Sequence, residues 1–317
     1  MTRGGGGSTG ASGGRAPPAA VASPAAVASP GATPAATPAP ALAAAVTPIV
    51  SGETRTLPAA AARLCALGGE APGCGALGAG DAAALRGAAD ALAAGSGGDE
   101  AAVEAGVPVL ARLLREWPPG PSSVAALSLA RGVLLSPRGA SAAAAAGLLV
   151  AVASRLADGA YAAAPRAPVV ALAALANAFR HSAGAAAMAR PEVLEPALRG
   201  TLRALVPPSD TDARRAAAAV LYNYSVRALG EGGVDGDTAV QLLCAALEDV
   251  GAEADVEALR RRLLAAGVLL RSAGPPLRSL AQELGFMEAV EALSGHASGD
   301  VRSLVRDVLA VAREGVA

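Results

Sequence analysis

Asn177 and Asn223 are the only asparagines in this 317-residue chain, and all 26 of its basic residues are arginine. Arg131, Asn177 and Asn223 stand at equal intervals, 46 residues by subtraction in each case. An asparagine side chain carries an acceptor and two donor hydrogens in one plane, so it can pair with the N–H and the C=O of an extended chain together. An arginine forks onto a carboxylate. Rungs of these residues suit recognition of an extended, acidic peptide. The competing reading is internal: each asparagine ties neighbouring segments of its own fold through their carbonyls. Residue type and spacing leave both readings open.

Covalent chemistry finds little support. His181 and His296 are the only histidines, and neither stands in an HExxH, Cys-His or Ser-His-Asp context. Lysine is absent, so no phosphate loop can be completed. Cys65, Cys74 and Cys244 lack metal-ligand spacing and fit a reducing compartment better than a disulfide framework. A thiol isopeptidase built on Cys244 or Cys65 needs an activating base, and neither cysteine has a sequence neighbour that suggests one. No catalytic residue, metal or cofactor is expected. His181 ends a helical run, where it suits a cap on the helix dipole.

The elements that must hold the rungs are alanine-rich helices. Around Asn223, residues 213–229 contain no Gly or Pro, Pro207 and Pro208 end what precedes, and Ser209 with Asp212 three residues on reads as an N-terminal cap. An asparagine inside such a helix competes with backbone hydrogen bonds, so it needs a partner from another segment or an open groove. Phe179, Tyr222 and Tyr224 lie within two residues of the asparagines and either wall pockets or fill core. Arg260, Arg261 and Arg262 cover most of a helical turn and cannot share one face. Either one of them enters the groove, or the run is a solvated face with Glu257 in reach of Arg260 or Arg261.

Four helical stretches overlay: SLARGVLLS from Ser128, ALANAFRHS from Ala174, VLYNYSVRA from Val220 and LAAGVLLRS from Leu264. Their centres, Arg131, Asn177, Asn223 and Gly267, are 46, 46 and 44 residues apart by subtraction, within the armadillo and HEAT period of about 40 to 47 residues. In such a solenoid the equivalent helix of every repeat lines one continuous surface. With 53% hydrophobic but only 2% aromatic residues, the core must be small-residue helix packing. The fold class expected is all-α, an armadillo-like solenoid over residues 47–317 preceded by a disordered Ala/Pro/Gly/Ser tail over residues 1–46. Residues 140–156 and 168–181 each read as one helix. A net charge of -1 gives no global pull toward nucleic acid or membrane. The uncharged stretch between Arg138 and Arg155 is shorter than the roughly 20 residues of a spanning helix. A cytoplasmic or nuclear location fits, an organellar transit peptide being the weaker alternative.

These residues resemble a family. AAAAVLYNYSVRAL, with VVALAALANAFRHSAGAAAM and the following EVLEPAL, is similar to the most recognisable part of the PUL domain, the C-terminal module of phospholipase A-2-activating protein and its relatives in ubiquitin-dependent degradation. Leu129, Ala130 and Arg131 with Pro137 six residues later, and Arg262 with the segment ending at Gly285, extend the resemblance from Thr47 to the C-terminus. It implies an armadillo-like, non-enzymatic adaptor whose groove binds the acidic C-terminal tail of the AAA-type segregase ATPase, the valosin-containing protein. Groove roles carry over to Arg131, Asn177, Asn223, Tyr224 and Arg262. Ala173 stands where the family pattern has a basic residue, and Val268 where it has Gly, which implies a less basic groove. The propeller, ubiquitin-binding, peptidase and thioredoxin modules that accompany PUL domains elsewhere are absent, so a stand-alone or truncated PUL protein is expected. The alternatives are a generic armadillo scaffold for another acidic extended peptide and a fragment of a larger PUL-containing protein.

Overall fold

The computed structural model describes residues 47–314 apart from 51, 53, 69–72, 96–97, 207–208 and 230–234. The tail expected over residues 1–46 lies outside the described residues. Among those described there are fifteen α-helices, two short 3-10 turns and no strand. The helices are α1 (Leu57–Leu67), α2 (Ala79–Ala93), α3 (Glu100–Glu116), α4 (Pro121–Val133), α5 (Pro137–Ala145), α6 (Leu148–Ala157), α7 (Ala167–Ala178), α8 (Ser182–Met188), α9 (Pro191–Leu205), α10 (Thr211–Ala228), α11 (Gly236–Leu247), α12 (Val256–Ser272), α13 (Gly274–Glu283), α14 (Phe286–Glu291) and α15 (Gly299–Arg313).

Local chemistry sets where these helices begin. Proline stands in the first turn of α1, α4, α5, α7, α9 and α13, where its missing N–H is not needed. Asp99, Asp210, Asp235 and Asp255 cap α3, α10, α11 and α12 by accepting first-turn N–H bonds. The cap of α10 is therefore Asp210. Ser209 serves the preceding helix instead, its hydroxyl donating to Val206 O at 2.6 Å.

Two expected helices are broken. Residues 140–156 are split between α5 and α6, which meet at a 70° bend because Gly147 takes φ +69°. The helix expected over 168–181 stops at Ala178, and α8 starts beyond an extended His181. Close approach explains why the chain can turn here: a Cβ on Gly139 would lie 2.3 Å from Val133 O, and one on Gly184 would lie 2.3 Å from Ala178 O. These are the same corner in successive repeats, and only a residue without a side chain lets the next helix start against the end of the last.

The helices pack in rows. One row runs α1, α4, α7, α10, α12 and α15, each against the next; a second runs α3, α6 and α9, and the short α5 and α8 also pack on each other. Each three-helix unit, α5–α6–α7 or α8–α9–α10, thus contributes one helix to each row. The buried interior is mostly Ala, Leu and Val, as expected for so few aromatics, and Tyr161 and Tyr224 are its largest fully buried side chains. Burial pushes the pKa of the Tyr161 hydroxyl up to about 12. Among the described residues no single helix is long and apolar enough to cross a membrane.

Candidate peptide-binding site

The rungs sit on the first row. Asn177 on α7 and Asn223 on α10 are both buried, where an unbonded amide would cost roughly 1–3 kcal/mol. Each reaches back one repeat. Asn177 Nδ2 donates to Arg131 O at 2.9 Å, and Asn223 Nδ2 donates to Ala176 O at 3.0 Å. His181 completes the pattern, its Nε2 lying 2.9 Å from Leu135 O just past the end of α4. The histidine therefore serves the end of the neighbouring repeat's helix rather than that of its own run.

Asn223 does more. Its second Nδ2 hydrogen goes to Ile49 O at 2.9 Å, while Oδ1 accepts the Ile49 N–H at 2.7 Å. One amide thus pairs with both backbone groups of one residue, 174 positions away in the chain and outside any helix. The two readings of the asparagines are not exclusive, because Asn223 ties α10 to α7 and grips a non-helical chain at once.

Beside Ile49 lies an open cleft of about 340 Å³ between α7, α10 and α12, lined by Arg131, Arg215, Arg261, Asp212 and small residues including Ala173 and Ala216. Three guanidinium groups and one carboxylate line it, while Asp255 and Glu257, which pair with two of the guanidiniums, stand outside the lining. Local acids hold the arginines in place. Arg215 pairs with Asp255 at 2.7 Å and with Asp212 at 3.4 Å, and Arg261 pairs with Glu257 at 2.8 Å while donating to Arg215 O at 2.8 Å. The hydrogen bond from Arg215 holds the Asp255 carboxyl below the usual carboxylate range, helped by the Ala258 N–H. Ala173, where a basic residue was expected, leaves part of this space open.

Two of the five residues assigned to the groove lie elsewhere. Tyr224 is fully buried: its ring meets Phe179 edge-to-face at 4.8 Å and its hydroxyl donates to Met188 O at 3.0 Å, so it fills space between α10 and the end of α8. Arg262 is buried too. Its guanidinium donates to Ala246 O at 3.0 Å and to Glu248 O, capping the C-terminal carbonyls of α11. Burial lowers its pKa, and Glu253, Asp249 and Glu248 oppose that shift. It lines a different cavity, with Arg214, Glu248 and Glu253.

A family model for the PUL domain matches residues 56–310. The chain belongs to the PUL domain family. Comparison with curated proteins finds no significant relative. Among solved structures, this PUL domain is similar to a computationally designed armadillo repeat protein for modular peptide recognition (TM-score 0.56, 17% identity, covering 80% of this chain and 99% of that one). It is also similar to a designed armadillo repeat protein in complex with the peptide (KR)4 (TM-score 0.55, 17% identity, 80% and 98% covered). The fold of this PUL domain is armadillo-like, and no enzymatic family is indicated.

Sequence reasoning missed Arg215, Arg261 and Ile49. A signal for the first two exists. Val169, Arg215 and Arg261 all line the cleft and stand 46 residues apart, the interval that also separates Asn177 from Arg131. Carrying that interval forward from α10 lands on Arg261, whereas the 44-residue spacing drawn to Gly267 favoured no member of the run. Ile49 carried a signal of rarity, being the only isoleucine in the chain, but its Ala/Pro-rich surroundings hid it.

Proposed function

We propose that the row of α4, α7, α10 and α12 binds an extended acidic peptide, and that the ligand is the C-terminal tail of the valosin-containing-protein type AAA ATPase, making this PUL domain an adaptor in ubiquitin-dependent turnover. The observation that carries the reading is the paired hydrogen bonding of Asn223 to Ile49, which shows the backbone of a non-helical segment held on this surface. Arg131, Arg215 and Arg261 beside it supply the charge complement. Family membership supports a protein-interaction role, and the resemblance described above is what selects the ATPase tail.

The test is titration of a synthetic peptide of that tail into the full chain. Arg261→Glu should weaken binding by about 2 kcal/mol or more, because a charge-assisted pair becomes repulsion. Arg260→Glu is the matched control, since Arg260 leans on the same Glu257 but does not line the cleft. Equal effects from the two reversals would reject the assignment.

A further inference from the structure

We infer that the segment around Ile49 is a resident occupant of the peptide site, and that a bound partner must displace it. The inference rests on the reading of this face as a peptide site, and it turns on a count of hydrogens. An asparagine amide has two N–H donors. Both of those on Asn223 are used, one on Ala176 O and one on Ile49 O. The first bond belongs to the repeat stack. A partner's carbonyl can therefore bond this rung only if Ile49 leaves it.

The segment has the features of a ligand. Pro48 biases Thr47 toward extended backbone, and residues 48–50 adopt no regular structure. Ile49 rests its side chain against the core, which gives the site a preference for an aliphatic residue at that position. Ile49 and Val50 form one wall of the arginine-lined cleft, so an acidic partner lying in the same track brings its carboxylates to Arg215 and Arg261. The site therefore fits an extended chain with an aliphatic residue on the Asn223 rung and acidic residues beside it.

Tethering makes the internal occupant effective. Ile49 is eight residues by subtraction from Leu57, where α1 begins, and a short tether gives an effective concentration on the order of millimolar. The apparent affinity for an outside peptide falls by the fraction of molecules in which the rung is free. Two net hydrogen bonds predict a reduction of about ten-fold or more.

Amide hydrogen exchange on the full chain, with and without the ATPase tail peptide, tests this together with Ile49→Pro, which removes the N–H that Asn223 accepts. Support would be a protected Ile49 amide that exchanges faster as the peptide saturates the site, with Ile49→Pro binding the peptide about ten-fold more tightly. If the peptide binds while Ile49 stays protected and Ile49→Pro binds no better, the segment is a fixed part of the fold and the inference fails, though the proposed function stands. If the peptide binds neither chain, the proposed ligand fails, and a synthetic peptide of residues 45–54 added to Ile49→Pro decides the matter. Binding of that peptide supports the occupant reading, and its failure to bind overturns it.

Discussion

Asn223 on α10 and Arg262 on α12 are both buried polar side chains that hydrogen-bond backbone carbonyls, and they do different work. Arg262 bonds the end of α11, a helix that packs directly on its own. Asn223 divides its bonds between the neighbouring repeat and a segment 174 residues away that belongs to no helix. The lesson is that burial does not separate architecture from recognition in this fold. The partner does: a carbonyl inside the helical stack marks scaffolding, whereas both backbone groups of one non-helical residue are what the proposed binding rung holds.

The largest effect should come from breaking the scaffold side of that comparison. Arg262→Glu removes the cap from α11 and places an acid among Glu248, Asp249 and Glu253. The loss should be about 3–5 kcal/mol, as for a buried charge stripped of its partners. Urea unfolding measures it, and a loss below about 1 kcal/mol would mean that the guanidinium is not needed at that corner. Peptide affinity of the fraction still folded should be unchanged, since Arg262 lines another cavity.

Asn223→Ala and Asn177→Ala sharpen the comparison at intermediate size. Each leaves a carbonyl of the preceding repeat without its amide donor, so each should cost about 1–3 kcal/mol of stability. Only Asn223→Ala should also release Ile49, bringing its amide to the exchange rate of an unstructured chain. Ile49 protection that survives Asn223→Ala would remove Asn223 from the binding role.

Most of the scaffold was legible in the sequence, because armadillo packing repeats a local pattern. The overlay of four stretches at intervals of 46, 46 and 44 residues located α4, α7, α10 and α12, whereas the cap of α10 was read as Ser209 and is Asp210. The two missed breaks have a common cause: at Gly147 and at the Ala178 corner, glycine permits a turn that alanine-rich periodicity conceals. The candidate site was half legible. The asparagines stood out by rarity, and the structure places both on the expected row. Which arginine of residues 260–262 faces the cleft depends on about 100° of rotation per residue, which composition cannot fix but contact with Arg215 does. Tyr224 misled because a motif position is also a place where a large side chain fills core, and its partner Phe179 lies in the previous repeat.

The smallest effect concerns pH and separates the rim of the cleft from the α11 corner. Asp255 joins α12 to α10 through Arg215, and that hydrogen bond holds its carboxyl below the ordinary range. A carboxyl whose folded pKa is depressed contributes stability that is present above its unfolded value, about 4, and is lost as pH falls through the folded value. Arg215 is half exposed, so the contribution should be modest and weakened by salt. Asp255→Asn isolates it, because asparagine is an equally good N-cap and can still accept the Ala258 N–H. Wild type should be the more stable of the two at pH 7, and their urea midpoints should converge as pH drops below 3. In an Asp255→Asn background the Arg262→Glu deficit should shrink at low pH without vanishing, because repulsion with Glu248, Asp249 and Glu253 is relieved as the carboxyls protonate while the bonds to Ala246 O and Glu248 O stay lost. A gap between wild type and Asp255→Asn that is the same at both pH values would show that packing or capping, and not the ion pair, joins the two helices there.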